Sequence, residues 1–231
     1  MIQNILPPDS ITRDTRFALV NAVYFDGEWQ SKFKKEATKE NADFKVSKSE
    51  TIKVDMMRKT EHLPYYKGDG YQAVTLDYKN QTFAMMILLP DDIDGLSEMM
   101  HDLDEGEIWR IIDESTTTHN VRLSLPKFHV ESEMNAVDVL KEMGMKKAFD
   151  VDADFSNMTS HKPLFIQHII HKAIIDVDEA GTKAAAATVI IANDSAAMPE
   201  DEIVFTADHP FAFVLFHKSS GAALFTGQFV R

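Results

Sequence analysis

The sequence predicts an α+β fold. Apolar, β-prone runs outnumber amphipathic stretches, and the two kinds come in blocks rather than in strict alternation. Two short polar breaks, Lys79-Asn80-Gln81 and Lys218-Ser219-Ser220-Gly221, each separate a pair of apolar runs and read as hairpins. No internal repeat and no Gly/Pro-rich linker interrupts the pattern, so the 231 residues are read as one domain.

Taken in order, Arg16 to Phe25 is almost wholly apolar, the pattern of a strand buried on both faces. Val54 to Met57 is a short apolar run. Tyr71 to Tyr78 and Thr82 to Leu89 form the first hairpin. Gly95 to Leu103 is helical, and Glu107 to Glu114 is a second helix with Ile108, Ile111 and Ile112 on one face. Val121 to Val130 is a strand in which Pro126 marks an edge or a bend. Ser132 to Met143 reads as an amphipathic helix, because Met134, Val137 and Leu140 recur every third residue and Gly144 is a stop signal. Leu164 to Val177 is a long buried strand, and Phe211 to Phe216 with Ala222 to Val230 makes the second hairpin.

Composition removes several functions. A net charge of −13 disfavours phosphate backbones, and no basic run carries interleaved aromatics, so no nucleic-acid partner is expected. No window approaches the ~18 apolar residues of a membrane span. Zero cysteines exclude disulfides, cysteine zinc sites and a cysteine nucleophile. The start, Met1 to Pro8, lacks a basic segment followed by an apolar core and does not read as a signal peptide. With 15 Phe and 12 Met there is ample material for a core.

Catalytic constellations are missing too, and no enzyme, cofactor or metal is expected. There is no G-x-S-x-G elbow and no P-loop. Gly68-Asp69-Gly70 precedes a strand rather than opening a helix, so it is no dinucleotide fingerprint. Asp150, Asp152 and Asp154 begin like a calcium loop, but Phe155 and His161 stand where glycine and glutamate are needed. His168 and His171 lie on opposite faces of a strand and cannot share a metal.

One segment is odd: Gly181 to Pro199, GTKAAAATVIIANDSAAMP, long and rich in small residues. Its alanines suit a helix, whereas Gly181-Thr182 and the β-branched run Thr188 to Ile191 do not. As a strand, Thr182, Ala184, Ala186, Thr188, Ile190 and Ala192 would share a face, all uncharged, and Lys183 would point the other way.

Asp178-Glu179-Ala180-Gly181-Thr182-Lys183-Ala184-Ala185-Ala186-Ala187-Thr188 resembles the hinge of inhibitory serpins. Leu19 to Trp29, with Phe33 and Thr38, resembles the central-strand and breach motif. Leu140 to Gly144 with Phe149 and Ala153 to Ser156, then Ile170 to Ala173, and Asp208-His209-Pro210-Phe211 follow in family order over almost the whole chain. Ala212 departs from the bulky apolar residue usual at its position.

The resemblance implies a single partial serpin domain over residues 1–231 with an exposed reactive loop over 181–199. The N-terminal helical part and the first strands of the main sheet are expected to be absent, and the heparin-binding helix with them. It implies a suicide substrate of a serine protease. The cleaved loop inserts as a new strand between the strands holding Asn21 and His171, which part there and exchange hydrogen bonds, while Trp29 lies where insertion begins. Glu179, Gly181, Thr182, Ala184, Ala185, Ala186, Ala187 and Thr188 form the hinge. Family spacing puts the reactive bond at Ser195-Ala196, with Met198 the alternative. No Lys or Arg occurs from Ala184 to His217, so an elastase- or chymotrypsin-like target is expected rather than a trypsin-like one. A non-inhibitory carrier relative and an inactive truncated form are the other readings. An extracellular location is the commoner family case, although intracellular serpins also lack a cleaved signal. Asn80, Asn157 and Asn193 open glycosylation sequons.

Overall fold

The structure, a computed structural model, describes residues 5–6, 11, 15–103, 105–115, 117–159, 164–182 and 201–230. In chain order the strands are β1 Ala18–Tyr24, β2 Gly27–Glu28, β3 Lys39–Lys45, β4 Thr51–Lys67, β5 Tyr71–Asp77, β6 Phe83–Pro90, β7 Thr118–Pro126, β8 Phe128–Asn135, β9 His168–Val177, β10 Gly181–Thr182, β11 Ile203–Thr206, β12 Phe211–His217 and β13 Ala223–Phe229. The helices are α1 Leu96–Asp102, α2 Glu105–Glu114 and α3 Val137–Glu142. The chain forms two compact units, one from residues 1–25 and 129–175, the other from 26–128 and 176–231.

In the first unit β1 runs parallel to β9, in register from Ala18 opposite His168 to Tyr24 opposite Ile174. β8 is a further partner of β9. The core is small: Val137, Phe149 and Ile166, with Phe17, Leu140, Phe155 and Ile169 packed on it. Phe17 and Phe155 meet edge to face at 5.7 Å. α3 stops at Gly144, whose φ of 101° is cheap only for glycine. The Met145 amide reaches back to the Leu140 carbonyl and the Gly144 amide to that of Lys141, the paired bonds of a Schellman cap.

Two expectations for this unit need correction. The helix expected over Ser132 to Met143 is half strand, because β8 continues to Asn135. The strand lets Glu131 and Glu133 reach the buried Lys172 ammonium at 2.6 and 3.5 Å, and Met134, read as a helix-face residue, is exposed. The strand expected to be buried on both faces is also different: in β1, Leu19, Val20 and Tyr24 are exposed. Apolar composition records what a strand can bury, and β9 is the one partner of β1 among the described residues.

Among the described residues the second unit holds an eight-stranded sheet in the order β11-β7-β4-β5-β6-β12-β13, with β3 paired to β4. β4 bridges the arrangement: its first half pairs antiparallel with β3, its last residues with β5, and Met56 to Pro64 with β7. The strand expected over Val121 to Val130 is broken at Lys127, immediately after Pro126. Both expected hairpins form, β5 with β6 and β12 with β13. Met86, Leu88, Val214 and Phe216 bury one set of alternating side chains under Leu96, Met99 and Ile111 of the helices. Elsewhere in the unit Phe128 stands 5.3 to 5.6 Å from the rings of Phe211, Phe213 and Phe229. Burial of such rings is a large favourable contribution to stability.

Candidate functional site

In the second unit the chain leaves β9 through a tight turn. The Asp178 carboxylate accepts the amides of Ala180 and Gly181 at 2.8 and 3.2 Å. The turn returns the backbone as β10, whose Gly181 and Thr182 lie opposite Glu28 and Gly27 of β2. Thr182 also pairs antiparallel with Val177. Gly181 has φ 150°, and a Cβ there would stand 2.1 Å from the Gly27 carbonyl oxygen, so the close approach of β10 to β2 admits only glycine.

This corrects the expected start of the exposed loop. Gly181 and Thr182 are strand, and Thr182 is 0% exposed. The reason is local: two flanking backbones, β2 and the end of β9, supply the ladder that a free loop would lack.

Glu179 sits just before this strand and is buried. Its carboxylate pairs with the Lys127 ammonium at 2.7 Å and accepts the Thr38 hydroxyl at 2.8 Å. Its carbonyl accepts the Phe33 amide at 2.9 Å. Burial alone would push this carboxyl up, but Lys127 and the accompanying hydrogen bonds hold it below the ordinary carboxylate value. The same contact raises Lys127 above the usual lysine value.

Trp29 is buried, its amide donates to the Ala180 carbonyl at 3.0 Å, and its indole N–H donates to the Asp178 carbonyl at 3.0 Å. Its ring stacks on Tyr78 at 4.6 Å and 21°. The Tyr78 and Thr182 hydroxyls are hydrogen-bonded at 2.7 Å. The structure therefore brings Trp29, Glu179, Gly181 and Thr182 together. It adds Lys127 and Tyr78, which sequence reasoning missed. Lys127 had one signal, a cation set between Pro126 and the apolar Phe128; Tyr78 had none beyond closing a strand.

In the first unit Asn21 lies directly opposite His171 on the parallel ladder. There β1 and β9 are paired over the whole of β1. The remaining expected site residues, Ala184, Ala185, Ala186, Ala187, Thr188, Ser195, Ala196 and Met198, lie outside the described residues. Among the described residues no helix is long and apolar enough to cross a membrane.

The fold and the hinge define a mixed-sheet α+β protein in which a short strand, β10, is seated between β2 and the end of β9. The chain belongs to the serpin (serine protease inhibitor) family, whose model matches residues 1–231. Leukocyte elastase inhibitor of Bos taurus is 39% identical over 98% of this chain and 61% of its own length. Antichymotrypsin-2 of Bombyx mori is 36% identical over 99% of this chain and 60% of its own. The crystal structure of Serpin48, a highly specific serpin of Tenebrio molitor, superposes with a TM-score of 0.84 at 33% identity, covering 100% of this chain and 60% of that one. The chain thus spans about 60% of the length of the relatives it matches.

Proposed function

We propose that this chain carries the inhibitory machinery of a serine-protease inhibitor that acts as a suicide substrate. The protease attacks the loop at Ser195-Ala196, or near Met198, and forms an acyl-enzyme. The cleaved loop then enters the sheet between β1 and β9 before deacylation can release it.

The observation that carries this reading is the register at the hinge. Thr182 is already antiparallel to Val177. Continuing that ladder sets Lys183 opposite Asp176, Ala184 opposite Ile175 and Thr188 opposite His171. Lys183 then faces a carboxylate, while Thr182 and Ala184 follow the buried Val177 and Ile175. A strand antiparallel to β9 is also antiparallel to β1, because those two are parallel. Insertion thus exchanges one parallel ladder for two antiparallel ones, and the antiparallel kind is slightly stronger per residue. The small residues of the hinge let the backbone thread without prying side chains apart.

Absence of any Lys or Arg from Ala184 to His217 supports an elastase- or chymotrypsin-like target. The names of the bovine and silkworm relatives, an elastase inhibitor and an antichymotrypsin, point the same way. An extracellular place of action belongs to the same proposal. The test is incubation with trypsin, elastase and chymotrypsin, followed by denaturing gels and mass spectrometry of the released C-terminal peptide. A stable complex with either of the last two, and none with trypsin, is expected. Cleavage outside Asn193 to Met198, or a complex with trypsin through this loop, overturns the assignment.

A further inference from the structure

We propose that the Tyr78 hydroxyl is a latch that holds the hinge seated at Thr182, making Tyr78 a positioning residue for loop insertion. The consequence for inhibition rests on the reading given under Proposed function; the latch itself does not.

Tyr78 is placed by a rigid frame. It follows β5, its amide donates to the Phe83 carbonyl at 3.0 Å, and its backbone bridges that of Trp29. The stack on Trp29 fixes the ring, and both rings are 1% exposed. Burial keeps the phenol protonated well above its ordinary range, so the group remains a hydroxyl. It is hydrogen-bonded to the Thr182 hydroxyl at 2.7 Å, on a side chain that is itself 0% exposed. A buried hydroxyl without a partner is costly, so each of the two groups holds the other in place.

Among the described residues β10 is Gly181 and Thr182, paired with Glu28 and Gly27 of β2 and with Val177. The latch adds a buried side-chain bond to those backbone pairs. While it is closed, the first cross-strand pair of an inserting loop, Thr182 with Val177, already exists. Insertion after cleavage then propagates from a formed pair. With the latch open, that pair must first form again, and deacylation gains time.

The test uses hydrogen exchange of the backbone spanning Gly181 and Thr182 in the intact chain, and the ratio of covalent complex to cleaved product with elastase and with chymotrypsin. Tyr78→Phe and Thr182→Val should each speed exchange there by roughly three- to tenfold, the size of one net hydrogen bond. Thr182→Ser keeps a hydroxyl and should exchange as the parent does. The double variant Tyr78→Phe/Thr182→Val leaves no orphaned hydroxyl, and its effect should not exceed the larger single one. Tyr78→Phe should also lower the ratio of complex to product, and Thr182→Ser should not. Unchanged exchange in Tyr78→Phe, or additive effects in the double variant, overturns the latch. Faster exchange with an unchanged ratio overturns the positioning role and leaves an ordinary structural bond. If the parent itself forms no complex with either protease, the inhibitory reading fails, and the exchange results alone decide the latch.

Discussion

Glu179 is the residue on which the hinge turns most directly. Its side chain is 6% exposed, that of Lys127 36%, so one charge is buried and its partner keeps some water. Removing Lys127 strands a buried carboxylate with the Thr38 hydroxyl and its own backbone amide but no cation. A loss of about 3 kcal/mol, the lower end of the range for a broken buried pair, is expected at neutral pH. The pH dependence has a definite sign. The folded Glu179 carboxyl lies below its model-compound value of 4.5, so its contribution is fully present above that value. It is lost as the pH falls through the lowered folded value. Lys127→Ala should thus be clearly less stable than the parent to urea at pH 7, and the gap should shrink at pH 3. An equal gap at both values would show that Lys127 acts by packing and not by charge. The sequence singled out Glu179, Trp29, Gly181 and Thr182. For Lys127 it offered only a cation set between Pro126 and Phe128, because the contact joins residues far apart in the chain.

Among the elements, the hairpins were legible because a polar break between apolar runs has one simple reading. β3 and most of β4 were not. Lys39 to Lys45 and Thr51 to Lys67 alternate with many charges, and their strand character comes from pairing with each other and with β7. β10 was hidden for the same reason, its two residues being strand only because β2 and β9 flank them. That finding moves the test of which loop residues face inward. A charge at Thr182 would disrupt the native fold at once, since the site is already closed. Ala184, next on the same face, is the better position. Ala184→Arg should cost several kcal/mol on insertion if the cation is left unpaired. Lys183→Gln, on the opposite face, should change insertion by under about 0.5 kcal/mol. The first variant should be cleaved as a plain substrate by elastase or chymotrypsin, and the second should keep the parent ratio of complex to product on a gel. Equal ratios would refute the alternation along Gly181 to Ala192.

At the scale of the molecule the two units differ in how much they bury. The second has a continuous core from Tyr71 to Phe216 under two helices, whereas the first rests on Val137, Phe149 and Ile166. The first also exposes Leu19, Val20 and Tyr24 on β1, and Met143, Val151 and Met158 elsewhere. An apolar strand with no second neighbour among the described residues is a template for pairing with another chain. The chain should therefore bind 8-anilinonaphthalene-1-sulfonate and self-associate as its concentration rises. Val20→Lys tests whether β1 is the surface responsible. Val20 is 46% exposed, so the substitution should change folded stability by no more than about 0.5 kcal/mol. A lysine there charges the edge and disfavours a second strand. Light scattering at matched concentration should fall in the variant while the unfolding midpoint stays put. Scattering that persists unchanged would move the associating surface away from β1 and toward the exposed methionines of the same unit.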